Sequence, residues 1–349
     1  MTNILAMKTL TFSLFVSLLL YCSCQQKERV PDSDNFNLVK LADGVYACIN
    51  KTGGKAICNA GIVDLGDASL VFDPFLSPRV AEELLQTIHE LGLPPVKYVV
   101  NSHYHNDHIR GNQVFPEDAQ IISTTKTAQL IAEKEPQELA AEEGYAPKQL
   151  AFFDSLQQNF QGDTLSRAYQ SINMWKAYFE VLTESIGNIK TRVPTSFVDA
   201  KKIIVGPKRQ VTLLTFGKGH TESDLVMYLP DEKILFSGDI VFDGMHPYMP
   251  DGFPGAWMNY LDSLQKLEVN QLVPGHGDVT SAMALKQMKN YIGMVEAKAQ
   301  ELLDAGLQES AVDTVTIPAP FDTWWFDRFF FINMHFMYGQ LSGNNAGKD

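Results

Sequence analysis

Basic residues are scarce in this chain. Across 349 residues, 28 Lys and Arg stand against 41 Asp and Glu, so the formal net charge is −13 and the isoelectric point about 5.1. No block of Lys or Arg interrupts that balance. Proteins hold nucleic acid through clustered cations on its phosphates, so the charge argues against that partner. Cysteine is scarcer still, with four in all. Apart from Cys22 and Cys24 only Cys48 and Cys58 remain, and neither is placed like a catalytic nucleophile. Internal repeats and long low-complexity segments are missing, which leaves a globular chain. Long apolar runs are missing too, except for Thr9 to Tyr21, and that run falls short of the ~20 residues a comfortable membrane span needs. What remains is 45% hydrophobic, enough for a large core in one sizeable domain or a two-layer pair.

The single apolar run suits the h-region of an export signal, with Lys8 as its positive flank. A polar tail follows at once, so a buried helix is a weak alternative. The run ends L-L-Y-C-S-C, which resembles a bacterial lipoprotein box. Ser23 meets the small-residue requirement before Cys24, and Tyr21 departs from the usual pattern at its position. Residues 1–24 are therefore expected to be a signal with Cys24 lipidated. Residues 25–37, with Pro31, read as a polar linker, and 38–349 as the catalytic domain. The expected location is the bacterial envelope, with membrane contact through the lipid anchor only.

Chemistry concentrates in Tyr98 to Arg110, Y-V-V-N-S-H-Y-H-N-D-H-I-R. Tyr98, Val99 and Val100 read as a buried strand. His103, His105, Asp107 and His108 follow it, in a chain with only eight His. Imidazole and carboxylate are the ligands that borderline metals such as zinc prefer. One His at a strand end is commonly a loop residue; so many donors together are hard to read as surface decoration.

Around this stretch the elements alternate. Val45–Ile49, Ala60–Val63 and Ser69–Phe72 are strand candidates. Cys48 and Cys58 flank the turn signal K-T-G-G-K, and a disulfide and a pair of small buried hydrophobes are both open for them. Ser77 and Pro78 open a helix with Val80, Leu84, Leu85, Ile88 and Leu91 on its apolar face, closed by Gly92. Gln120–Ser123 is a further strand. Residues from about 127 to 190 form a helical insert, with Ile172, Trp175, Phe179, Leu182 and Ile186 at helical spacing. Core packing is the favoured role of those aromatics, and a wall over the metal site the alternative. Strands return at Lys202–Val205, Val211–Leu214, Leu225–Tyr228, Ile234–Phe236 and Gln271–Val273. Helices are expected from Trp257 to Leu267 and from Ser281 to Ala305, the latter capped by Thr280. The aromatic-rich C-terminal extension, Pro318 to Gln340, reads as a helix packed on the domain, with a pocket wall or dimer surface as the sharper reading.

Three later motifs complete the donor set: Gly219-His220, Gly238-Asp239 and Gly275-His276, each directly after a strand. Glycine beside a donor permits close backbone approach. Together with H-Y-H-N-D-H at 103–108, their order and spacing resemble the metallo-β-lactamase superfamily, over about Leu41 to Leu302. The resemblance implies an α+β fold, a four-layer αβ/βα sandwich. It implies that His103, His105 and His220 bind one metal, that Asp107, His108 and His276 bind a second, and that Asp239 bridges them. Asp73 matches a position that supports the ligand loop. The implied cofactor is two zinc ions, with iron or manganese as alternatives. The implied reaction is attack by a hydroxide shared between the metals on an ester, thioester, amide/lactam or related bond, with Asp107 orienting it as the catalytic residue. The partner is a small-molecule substrate.

Departures narrow the resemblance. One β-lactamase branch carries Cys and another Ser where this chain has Asp239, which instead resembles the glyoxalase II, lactonase and phosphodiesterase branches. The Gly-Arg signature of glyoxalase II and the lactonase Tyr are missing. His246 and Tyr248 lie close enough to Asp239 in sequence to line a pocket or to be ordinary loop residues. Two competing expectations remain: a β-lactamase proper, and a non-catalytic metal-binding lipoprotein on the same fold. No expected ligand is lost, which disfavours the second.

Overall fold

The computed structural model describes residues 33–343. The expected signal, with Cys22 and Cys24, and most of the expected linker lie outside the described residues. The linker expectation fails at its C-terminal end. Strand β1 (Phe36–Ala42) starts at Phe36 and pairs antiparallel with β2 (Val45–Asn50). Sequence reading missed β1 because F-N-L-V-K-L-A sits on a sheet edge, where only Phe36 is fully buried.

The first sheet has seven strands in sequential order. After β1 and β2 come β3 (Ala60–Asp64) and β4 (Ser69–Phe72), all antiparallel. Then β5 (Val96–Val100), β6 (Gln120–Ser123) and β7 (Ser196–Phe197) add in parallel. Helix α1 (Pro78–Glu90) makes the crossover between β4 and β5. The second sheet has the order β12-β11-β10-β9-β8. Its strands are β8 (Lys201–Val205), β9 (Gln210–Gly217), β10 (Asp224–Leu229), β11 (Ile234–Phe236) and β12 (Gln271–Val273).

Period-two alternation sorts the side chains into layers. Val45, Ala47 and Ile49 of β2 meet Leu225, Met227 and Leu229 of β10 in one apolar layer between the sheets. Tyr46 and Cys48 point the other way, onto Val80, Leu84 and Ile88 of α1. Val226 and Tyr228 face a third layer with Trp257, Tyr260, Met288 and Ile292. Those residues lie on α5 (Pro254–Leu264) and α6 (Met283–Asp304), and α7 (Asp327–Leu341) packs against α6. The result is the expected αβ/βα sandwich.

Between β6 and β7 run α3 (Thr125–Gln158) and α4 (Arg167–Ser185), packed against each other. The helical expectation for this stretch is met, with a break at 159–166. Thr280 does not cap α6. Its backbone pairs with Leu272, and the N-cap position is Ala282. Cys48 and Cys58 are free and buried, so the buried-hydrophobe alternative describes them. Among the described residues no helix is long and apolar enough to cross a membrane.

Candidate metal centre

The expected donors stand at the C-terminal ends of four strands. β5 runs into the loop holding His103 and His105 and into the short helix α2 (Asn106–Ile109), which carries Asp107 and His108. His220 follows β9, Asp239 follows β11 and His276 follows β12. β12 and β9 both run the same way as β11, so their ends share one sheet edge. That edge needs close backbone approach. A Cβ on Gly275 would lie 1.9 Å from Asp239 Oδ1, and one on Gly238 would lie 2.5 Å from Ser102 Cβ.

All seven donors converge. His103, His105, His220 and Asp239 each offer a ligand atom, and these atoms lie within 4.8 Å of one another. His108, Asp239 and His276 form a second such group. Asp107 joins it, with Oδ2 3.3 Å from His276 Nε2 and 3.5 Å from His108 Nε2. The Asp239 carboxylate stands between the groups. Its Oδ1 is 3.1 Å from His108 Nε2, and its Oδ2 is 3.4 Å from both His220 Nε2 and His276 Nε2.

Four rings are tied by their other nitrogen. His103 Nδ1 is 2.9 Å from Ser102 Oγ, and His105 Nε2 is 3.2 Å from Asp251 Oδ2. His108 Nδ1 is 2.9 Å from Asp73 Oδ2, and His276 Nδ1 is 3.2 Å from the Ile57 carbonyl. Such contacts fix the tautomer and aim the free nitrogen. Asp73 also accepts the Ser102 N–H at 2.7 Å, the supporting position expected of it. Two of these anchors carry backbone strain: Asp73 has φ 52° and Ile57 φ 72°. Positive φ is a true outlier for a β-branched residue such as Ile57.

Burial makes the cluster ask for cations. His103 Nε2, His108 Nε2 and Asp239 Oδ1 are buried without a hydrogen-bond partner. Each such atom costs about 1–3 kcal/mol if left unsatisfied, and divalent cations at the centre would satisfy all three. Burial holds the His103 imidazole neutral, and it lowers His220 to about 3, so both rings are in the ligating form. Burial pushes the Asp239 carboxyl up, but His276 and His108 together hold it well below the ordinary range. Asp107, opposed in the same way by His108 and His276, falls to about 2. The donor set therefore fits divalent metal ions. Cys58 adds a feature that the sequence did not suggest: its thiol donates to the Asp107 carbonyl at 2.9 Å, and burial raises it to about 12.

A cavity of about 740 Å³ opens over the cluster, with His105, Asp107, His220, Asp239 and His276 on its floor. Trp175 and Tyr178 of α4, and Trp325, Phe326 and Phe329 at the start of α7, stand in its walls. Trp175 packs 5.3 Å from Phe326 and 5.5 Å from Phe329, centroid to centroid. Phe179 and Leu182 bury in the helical pair's own core. The insert thus does both things considered for it, and the tail is a helix packed on the domain whose start also forms a pocket wall. Tyr248 lines the cavity, 5.6 Å from Phe329. His246 lines it as well, although its side chain is buried, with Nδ1 3.0 Å from the Tyr291 hydroxyl.

Two further residues position the floor. Arg110, 3% exposed, donates from Nε to Glu135 at 2.7 Å and stands 2.8 Å from Glu142 through Nη1. Asn106 donates to Glu142 at 2.8 Å, so α3 is tied to the ligand loop. Asp251 is the other, and nothing local in D-G-F-P-G marks it as a partner for His105.

Comparison with known proteins agrees with this geometry. The model of the metallo-beta-lactamase superfamily matches residues 53–276. The metallo-beta-lactamase type 2 of Bacteroides fragilis is 21% identical over 291 residues, spanning 81% of this chain and 95% of that protein. An acyl-coenzyme A thioesterase of Homo sapiens is 29% identical over 105 residues, 28% of this chain and 37% of that one. The solved structure of a double mutant of the sec-alkyl sulfatase PisA1 superposes with TM-score 0.63 and 16% identity, over 90% of this chain and 52% of that chain. At that identity the likeness shows the fold alone. The match to the family model covers more than half of the chain, which belongs to the metallo-β-lactamase superfamily.

Proposed function

We propose that this member of the metallo-β-lactamase superfamily is a metal-dependent hydrolase acting on a carboxylic ester, thioester, amide or related bond. His103, His105 and His220 would hold one divalent ion, Asp107, His108 and His276 a second, with Asp239 between them and zinc as the metal. Bound there, the ions would supply Lewis acidity and a nucleophile at neutral pH by lowering the pKa of a bound water toward ~7. The rest falls to the chain's own side chains. Asp107 stays ionised beside His276 and faces the cavity, so it can accept a hydrogen bond from the nucleophile and aim it. Ser102, Asp251, Asp73 and the Ile57 carbonyl hold the four rings in register. The aromatic walls bound the space in which the reacting group would sit.

One observation carries this reading: seven donors meet under an open cavity while four of their side-chain atoms lack a hydrogen-bond partner, His220 Nδ1 among them. The test pairs metal analysis with a panel of p-nitrophenyl ester, thioester, lactone, nitrocefin and bis-p-nitrophenyl phosphate substrates. About two equivalents of transition metal and turnover in at least one of these classes are expected, both lost in His103→Ala. Less than one equivalent, with neither metal nor hydrolysis changed by His103→Ala, sinks the reading.

We also propose that the protein is exported and lipid-anchored, on the strength of the Thr9–Tyr21 run and Cys24. Labelling with an alkyne fatty acid should mark the wild type and not Cys24→Ser. Equal labelling of the two rules out Cys24 as the anchor.

A further inference from the structure

We infer that the cavity selects organic cations: substrates whose apolar body carries an ammonium group beside the hydrolysable bond. This deepens the hydrolase reading and rests on it for the bond that is cut, but not for the preference in binding.

The first ground is charge. Among the described residues that line the cavity, none is Lys or Arg. Carboxylates are plentiful there. Beyond the proposed ligands, Glu138, Glu142, Asp243, Asp251 and Asp278 all line it. Glu142 is neutralised by Arg110 and Asp251 is engaged with His105. Glu138 makes no hydrogen bond or ion pair among the described residues, although it stands half-buried in the wall. Three basic residues on the segments around the walls already have partners of their own. Arg110 is locked between Glu135 and Glu142. Arg167 is paired with Asp327, and Lys134 donates to the Tyr104 hydroxyl. Enzymes that hold a carboxylate, phosphate or sulfate usually present Arg or Lys to it, and this wall presents the opposite sign.

The second ground is independent of the first. Three separate segments bring aromatic rings to the same wall: Trp175 and Tyr178 from α4, Tyr248 after Asp239, and Phe326 and Phe329 at α7. Ring faces attract cations by about 0.5–2 kcal/mol each, most strongly where water is excluded. One ring already does so, since Arg167 lies 5.4 Å over the Trp325 centroid. An ammonium beside Tyr248 would also meet the unpartnered Glu138, whose charge already acts on that phenol. The electrophilic end of the substrate would then lie over the donor cluster, while the walls hold the remainder.

Binding to the metal-loaded protein separates this inference from the hydrolase reading. The probes are benzyltrimethylammonium, benzyl alcohol and benzylsulfonate, followed by calorimetry and by quenching of tryptophan fluorescence. Benzyltrimethylammonium should bind at least ~10-fold more tightly than benzyl alcohol, with benzylsulfonate the weakest. Glu138→Gln should reduce that preference about 5-fold, and Glu138→Lys should abolish or reverse it, with metal content unchanged in both. Equal or tighter binding of the alcohol or the sulfonate overturns the inference, as does a preference that both Glu138 variants leave intact. The kinetic arm compares acetylthiocholine with its neutral carbon isostere, S-(3,3-dimethylbutyl) thioacetate. Turnover of both at equal kcat/KM overturns cation selection and leaves the hydrolase standing. Cation binding with no turnover of any substrate class retains the selection and removes the hydrolase.

Discussion

The floor and the wall of the cavity are built by opposite means. On the floor, donors sit at strand ends, and four of the imidazoles are tied at the far nitrogen by a partner of their own. The backbone there approaches so closely that Gly275 has no room for a Cβ. The wall comes from α3 and α4, which follow one another in the chain, and from the start of α7, far along it. Trp175, Tyr178, Phe326 and Phe329 are half-buried and held mainly by ring contacts. Hydrogen bonds have strict geometry, whereas apolar contact tolerates repacking. A floor of this kind fixes where chemistry happens, and a wall of this kind sets what is admitted. Damage to the floor should therefore appear in metal content and kcat, and damage to the wall in KM and selectivity.

The sharpest attack on that division is Asp239→Ala, because the carboxylate stands between both donor groups. Activity should fall by about 10³-fold or more, and metal content should drop below one equivalent. Metal analysis beside initial rates checks this. If Asp239→Ala keeps both metals and changes only KM, the division of labour is wrong. Next in size is Arg110→Met, at the seam between floor and wall. Breaking a buried ion pair strands the remaining charges and costs about 3–5 kcal/mol. Here Glu135 and Glu142 would be left inside. Urea unfolding should show the loss, and a change below about 1 kcal/mol would mean that the seam is solvated in solution.

The two regions differed equally in how far the sequence disclosed them. The H-Y-H-N-D-H run and the three Gly-donor pairs were readable because metal ligands after strands leave a local signature. The strands β2, β3, β4, β6 and β11 were visible through β-branched runs bounded by turn residues. Among the partners that orient the donors Asp73 was expected, whereas two others left no such trace. Asp251 meets His105 across 146 positions, and the Ile57 carbonyl meets His276 across 219, so no periodicity could announce either. The aromatics of the wall showed their helical spacing, but a repeat near 3.6 says which face is apolar and not what it faces. Trp175 therefore looked like core, and it is both packed and facing the cavity.

The two carboxylates that orient imidazoles supply the third prediction. Asp251→Asn keeps the shape of the contact to His105 and removes its charge, and Asp73→Asn does the same for His108. Each should weaken metal affinity or activity by about 10–100-fold, less than loss of a donor. Competition with a chromogenic chelator gives the affinity. An Asp251→Asn protein with unchanged affinity and rate would show that His105 needs no partner and that the floor is less tightly locked than its contacts imply.

The smallest effect comes from the wall and is the most specific. Burial pushes the Glu138 carboxyl up from 4.5 to about 7, against the pull of His105. The folded state therefore resists ionising it. Below pH ~4.5 the group is protonated whether the chain is folded or not, and it costs nothing. As pH rises from there to about 7, the unfolded chain ionises first and stability falls; above that the loss is complete and constant. Glu138→Gln removes this titration. The melting temperature of the variant should match the parent near pH 4 and exceed it at pH 8, by something on the order of 2 °C. An equal gain at both pH values would trace to packing rather than charge. Benzyltrimethylammonium should then raise the melting temperature of the parent at pH 8 more than that of the variant, because only the parent offers the cation a carboxylate. A side chain that weakens the fold and strengthens the pocket would show that selection is the wall's function; equal stabilisation of the two proteins would reduce Glu138 to an ill-placed surface acid.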